Sequence, residues 1–237
     1  MPEPLVEAAL NNAGWCDAVC RALGLRTRWG ADAWTVARRS PNGYPDAVTL
    51  RHDADAAAVL SRVDVGPGCS VKDSFAALDL APWGFHVLFD ATWIRRPSAP
   101  DASSAALEWS EVHSPADLDQ WSRGHDLDVF RPGLLEVEDL RFFHCPVAAA
   151  GFALHRTAGV VGVSNTVAGR APLAAVWSDL VIIAGAVYPG LDLVGYEAAD
   201  DLEAATAAGF LGTGPLRVWM RETGRPGAAP SERMSGR

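Results

Sequence analysis

Leu193-Val194-Gly195-Tyr196-Glu197, an alanine-rich stretch ending Ala208-Gly209-Phe210, and then Gly214-Pro215-Leu216-Arg217-Val218-Trp219 form the segment whose reading decides the fold. Leu191 to Tyr196 is a short aliphatic and aromatic run that predicts a strand. Asp200 to Ala208 predicts a helix, closed by Gly209, which takes a left-handed C-cap conformation at no steric cost. Leu216 to Met220 predicts a returning strand. Strand, short helix and strand within so few residues imply helices and strands mixed around one core.

Working back from this segment, Leu107 to Val112 predicts a strand. Ser114 predicts a helix cap with Pro115 in the first turn, the helix running to about Arg123. Leu134 to Phe143 predicts a second helix. Ala149 to His155 and Gly159 to Val167 predict a hairpin turning at Arg156-Thr157-Ala158-Gly159. Leu173 to Trp177 predicts a short strand, followed by a buried helix from Ser178 to Val187.

This order, over Leu107 to Arg221, resembles the GNAT superfamily of N-acetyltransferases, and the C-terminal segment quoted above is its most specific match. The resemblance implies an α+β fold: a GNAT-like mixed sheet with flanking helices in the C-terminal half. It also implies an acyl-CoA, acetyl-CoA or another, seated where two central parallel strands splay apart. In that family the pyrophosphate rests on backbone N–H groups at a helix N-terminus, after a Gln/Arg-x-x-Gly-x-Gly/Ala loop. Here the matching segment is read at Ala174-Ala175-Val176-Trp177-Ser178-Asp179, which has no glycine and sets the Asp179 carboxylate where phosphates would lie. The family's acid tyrosine, four residues before the Gly of the Gly-Phe pair, is replaced by Ala205. The resemblance thus implies an acyltransferase acting on a small amine or amino-acid-like metabolite. The two departures imply instead a non-catalytic binding or interaction protein, or an enzyme with another acyl donor.

The candidate site residues follow from this alignment of elements. Glu197 is the candidate general base and Tyr196 the candidate acid, both at the open end of a splayed strand. Ser164 and Asn165 end the hairpin strand where an acceptor substrate would lie. Trp177 is the tryptophan expected to line the acceptor pocket. Val194 and Ser178 are the positions expected to meet the cofactor, Val194 through its backbone N–H. His155 reads as a solvated turn histidine, and His113 and His125 as loop residues flanking a helix. Lys72 reads as a solvated loop lysine in Gly66-Pro67-Gly68-Cys69-Ser70-Val71-Lys72-Asp73-Ser74, which lacks the spacing of a phosphate loop.

Composition excludes some classes. A net charge of −9 argues against a nucleic-acid binder, because such binding releases counterions from clustered cations. The most apolar stretch, Val147 to Val163, is cut by His155 and Arg156, so no membrane span of about 18 apolar residues is expected. Met1-Pro2-Glu3-Pro4 begins nothing like a secretory leader, so a cytoplasmic protein is expected. The four cysteines, Cys16, Cys20, Cys69 and Cys145, are expected to be reduced, and none of the histidines pairs at metal-ligand spacing, so no metal is expected. A single lysine among 20 basic residues suggests a GC-rich coding genome of bacterial type. A small-molecule substrate and a homodimer are the expected partners.

The first 97 residues predict a smaller α/β half. Pro4 to Leu23 is a helix by its apolar spacing, Trp34 to Ala37 and Ala47 to Leu50 are short strands, Asp53 to Val63 is a helix, and Phe85 to Ile94 is a strand. This half either walls the cleft or is a degenerate copy of the second. Residues 98–106 form the expected linker, 107–221 the GNAT-like domain, and 222–237 a disordered tail.

Overall fold

The computed structural model describes residues 4–99, 103–125 and 127–222. Apart from Glu222, the expected disordered tail lies outside the described residues. The described residues build five α-helices on one mixed sheet of 11 strands. The helices are α1 (Pro4–Ala22), α2 (Ala56–Leu60), α3 (Pro115–Ser122), α4 (Leu173–Val187) and α5 (Ala199–Ala207). The strands are β1 (Thr27–Trp29), β2 (Ala33–Val36), β3 (Ala47–Thr49), β4 (Ser70–Asp73), β5 (Phe85–Arg96), β6 (Ser110–Glu111), β7 (Leu140–Cys145), β8 (Ala150–Thr157), β9 (Val160–Val167), β10 (Leu193–Glu197) and β11 (Leu211–Arg221). No helix among the described residues is long and apolar enough to cross a membrane.

Across the sheet the strands run β1-β2-β3-β4-β11-β5-β10-β9-β8-β7-β6. Read inward, the two ends are alike except that the β6 side has one more strand. A parallel pair joined through a helix, β3 with β4 across α2 and β9 with β10 across α4, flanks a central antiparallel pair, β5 with β11. That central pair is exchanged. β5, from the first half, lies between β10 and β11, and β11, the last strand, lies between β4 and β5.

Three of the expected elements differ. Leu134 to Phe143 is not a helix: a single 3-10 turn at Pro132–Glu136 gives way to β7, and Asp139 between them sits at φ 61°, where a helix cannot continue. Leu140 and Phe142 face α1 while Phe143 faces α4, the alternation of a strand. Leu173 to Trp177 is not a strand. It is the first part of α4, which runs unbroken to Val187 and buries Val176, Trp177, Leu180, Val181 and Ala184, one apolar stripe at helical spacing. Only Ser110–Glu111 of the strand expected from Leu107 pairs, with β7. β1 and β4 had no counterpart in the sequence reading.

The layers follow from the same alternation. Ala153 and Phe142 pack with α1, whereas Phe152 and Leu154 pack with Trp177 and Leu180 of α4. One core unites α1 with Trp34, Val36 and Val48 from one end of the sheet and Leu140, Phe142 and Ala153 from the other. Both ends therefore curl toward α1, which lies in the trough they form. Asn11 fixes it there by donating to the carbonyl of His155 at 2.8 Å, a contact that needs Gly162 beneath, since a Cβ would lie 1.8 Å from Asn11 Oδ1.

Candidate active site

β9 and β10 pair only at Leu193 with Val161 and at Val194 with Gly162, then separate. Their parting is imposed by a bulge: β9 carries one extra residue opposite the Gly151–Ala153 step of β8, and within it Asn165 takes φ 53°. His125 holds the bulge. Its ring stacks on Trp121 at 3.8 Å, with Nε2 2.8 Å from the Asn165 carbonyl and Nδ1 3.0 Å from that of Trp121. Burial lowers the His125 pKa, partly offset by those two carbonyls. His125 thus positions the bulge, a role its loop setting in the sequence gave no sign of.

Beyond the bulge the chain turns through Ala168-Gly169-Arg170-Ala171-Pro172 into α4. Because α4 begins at Leu173, the segment standing before its N-terminus is Thr166-Val167-Ala168-Gly169-Arg170-Ala171, not Ala174 to Asp179. It has glycine and alanine at the two small-residue positions of the loop named above, with Thr166 where Gln or Arg would stand. Gly169 is required: its φ is 56°, and a Cβ would come within 2.2 Å of the Ala148 carbonyl. The N–H groups of Arg170 and Ala171 are committed to Ala148 and Ala168 carbonyls. Those of Leu173 and Ala174 open the helix, where no intrahelical partner is available. Pro172 caps without a side-chain bond and the first turn carries no acidic residue.

Asp179 does not face this end. It is buried in the body of α4, where its carboxylate accepts from the N–H groups of Ala106 and Leu107 and from Trp109 Nε1, at 2.7, 2.9 and 2.9 Å. The obstacle expected from the sequence is therefore absent, and the free first amides of α4 fit a diphosphate at its open end; the Arg170 guanidinium, in the preceding loop, donates to the Val147 carbonyl.

The splay opens onto a cavity of about 240 Å³ whose walls include Asn12, Tyr44, Lys72, Ser164, Asn165, Tyr196, Glu197 and Asp201. The structure thus brings together four of the expected residues, Ser164, Asn165, Tyr196 and Glu197. Val194 stands at the last position of β10 paired with β9, where the splay begins. Ser178 lies in the second turn of α4 and gives its hydroxyl to the Ala174 carbonyl at 2.9 Å. Trp177 is apart from the cavity: it is fully buried against Phe210, ring centroids 5.4 Å apart, because the helix turns it into the core beneath α5.

Glu197 is half-buried, and desolvation, with the charge of Asp201 adding to it, raises its pKa to about 8. Tyr196 packs edge-on against Trp93, centroids 5.6 Å apart. Tyr44, which follows the turn-rich Ser40-Pro41-Asn42-Gly43 and was not among the expected site residues, puts a buried hydroxyl at the cavity with no bond of regular geometry, and burial raises its pKa well above the ordinary phenol value. Lys72 is not a solvated loop residue. It lies on β4 with 4% of its surface exposed, donates to Asn12 Oδ1 at 2.9 Å and stands over the Tyr196 ring at 4.1 Å. His155 is not at the turn either. It is buried on β8 under α1, and desolvation lowers its pKa to about 4. All four cysteines are free and buried, and no cluster able to hold a metal occurs among the described residues.

No protein-family model matches the sequence, and no curated protein is similar to it. Solved structures are. A GCN5-related N-acetyltransferase from Kribbella flavida superposes with a TM-score of 0.57 at 13% identity, over 92% of this chain and 96% of its own. A protein described as an acetyltransferase of the GNAT family, from Novosphingobium aromaticivorans, does so with a TM-score of 0.57 at 13% identity, over 91% and 99%. Both matches span the first half as well as the second. With its bulged strand, its splayed parallel pair and the loop before α4, the chain has the GNAT fold.

Proposed function

We propose that this protein is an acyltransferase that moves an acyl group from acyl-CoA to a small amine or amino-acid-like acceptor. The observation that carries the reading is the course of the splay. Past the splay β9 leads through the Gly169 loop to the uncapped N-terminus of α4 at Leu173 and Ala174, and the splay itself opens onto the cavity lined by Glu197. Leu173 and Ala174 would hold the diphosphate, and β10 beyond Val194 would flank the pantetheine arm. Bound there, acyl-CoA supplies an acyl carbon activated by its thiolate leaving group.

The chain's own residues do the rest. Backbone N–H groups of β10 freed by the splay polarise the acyl carbonyl. Glu197, in its ionised form, takes a proton from the acceptor amine directly or through water. A carboxylate with a pKa near 8 is a far stronger base than a solvated one. Tyr44, whose phenol keeps its proton at neutral pH and makes no hydrogen bond of regular geometry, is the acid for the leaving thiolate, and Tyr196 presents its ring to Lys72. Ala205 then leaves no gap in the chemistry, since a phenol arrives from the first half.

Isothermal titration with acetyl-CoA tests this, alongside thermal shift with the same ligand. A ligand at about 100 times its dissociation constant stabilises the fold by roughly 2.7 kcal/mol. Absence of heat and of any shift at millimolar acetyl-CoA removes the acetyltransferase and leaves another donor or a non-catalytic binding protein.

A further inference from the structure

Lys72 is the chain's single lysine, and the fold buries it where its two halves meet. It lines the cavity of the splay and also a neighbouring one of about 170 Å³ between the 39–45 loop and the central strands. Its ammonium has an amide oxygen, Asn12 Oδ1, at 2.9 Å and the Tyr196 ring face at 4.1 Å. No carboxylate stands within ion-pair distance of it among the described residues. Neighbouring arginines are treated otherwise: Arg39 meets Asp46 at 2.6 Å, and Arg95 meets Glu7 and Asp192 at 2.6 and 2.7 Å. Removing an ammonium from water costs far more than one amide oxygen and one ring return, and proteins that bury such a charge pair it.

The missing partner is an anion from outside the chain. Glu197 and Asp201 line the same cavity, and neither is paired with Lys72. The cavity therefore offers one cation and, apart from it, a carboxylate pair. That polarity matches a molecule with an amine at one end and an anionic group at the other. Asn12 steadies the ammonium from α1 and Tyr196 from β10, so the cation is held in place before any ligand arrives.

We propose that Lys72, oriented by Asn12 and Tyr196, binds the carboxylate of the acceptor, so that the substrate class is free amino acids whose amine faces Glu197. This rests on the acyl-acceptor reading of the cavity given above, but its test stands apart from that reading.

The test is a thermal-shift screen of the full chain, without acetyl-CoA, against free amino acids, each paired with its own carboxamide. The amide keeps the amine and the shape and removes only the anion. At least one acid should stabilise the protein while its amide does not, and that acid should bind Lys72→Met roughly 30-fold or more weakly, as for loss of one partner of a buried charge pair. Lys72→Met should itself melt no lower than the natural chain, since it replaces an unpaired buried charge by an apolar group of similar length. If acids and amides stabilise alike, if no acid stabilises, or if Lys72→Met keeps the natural affinity, the proposal fails. The acid-against-amide comparison is made on the natural chain, so it holds even if Lys72→Met does not fold. An acid that binds where acetyl-CoA does not would remove acetyl transfer and leave the anion site; acetyl-CoA binding with no acid preference would do the reverse.

Discussion

Trp109 and Asp179 are joined across 70 residues by a hydrogen bond of 2.9 Å from the indole N–H to the buried carboxylate. The same carboxylate takes the N–H groups of Ala106 and Leu107, so the strap re-entering the second half is tied to the middle of α4. Asp179→Asn keeps the size but offers one acceptor oxygen where three donors converge. It should destabilise the protein by about 1–3 kcal/mol, the cost of a buried donor left unpaired. Denaturant melts read this, and acetyl-CoA affinity should be unchanged because Asp179 does not face the open end of α4.

Glu197 is active as a base only when ionised, and burial with Asp201 nearby holds its pKa at about 8. Turnover per unit of substrate should therefore climb as pH rises toward that value. Asp201→Asn removes the second cause and should move the rising limb to lower pH. Glu197→Gln should lower turnover by about 10²-fold or more, with acetyl-CoA binding intact. A limb that stays in place in Asp201→Asn would take Glu197 out of the mechanism.

Tyr44→Phe deletes a buried hydroxyl that makes no hydrogen bond of regular geometry, so stability should hold or rise slightly. Turnover should fall by about 10²-fold if the phenol protonates the thiolate. Equal turnover in Tyr44→Phe would return that duty to Tyr196.

His155 is buried with its Nδ1 unpartnered, and its pKa is pushed down to about 4. In the unfolded chain it titrates near 6.5, so on acidification the unfolded state takes up a proton that the folded state refuses. Stability from this group is complete above the unfolded value and drains away as pH falls from 6.5 toward 4. Chemical melts across that range should show the loss, and His155→Gln, neutral throughout, should flatten it.

Gly169→Val should lower stability by roughly 1–3 kcal/mol, because φ 56° and the Ala148 carbonyl both exclude a branched side chain. Relief by reshaping the loop would move the first amides of α4, so acetyl-CoA affinity should drop with it. Calorimetry on the folded fraction separates the two effects.

Much of the second half was legible because its signals are local. Ser114 caps α3 by accepting from Asp117 N, Gly209 closes α5 in the left-handed region, and the Ala158-Gly159 turn joins β8 to β9. Tyr196 and Glu197 end β10 as expected, whereas Ser164 and Asn165 lie within β9, at its bulge rather than at its end. What escaped was set by distant partners. Leu173 to Trp177 is apolar enough for a strand, and only packing against Phe210 and the sheet makes it helix. That shift of five residues hid the Gly169 loop and misplaced Asp179. Leu140 to Cys145 reads as helix or strand alike until β8 lies beside it. Lys72 and Tyr44 sit in turn-rich sequence, and nothing local announces that the second half will close over them.

The exchange of β5 and β11 also bears on how the molecule comes into being on the ribosome. β4 has β3 on one flank, and its other neighbour is β11, the last strand in chain order among the described residues. The first half thus leaves the ribosome with an open strand edge that stays bare until β11 has been made. Neither half can reach its finished form as a separate polypeptide, and a chain cut after Phe210 loses β11 and with it the centre of its sheet rather than its rim.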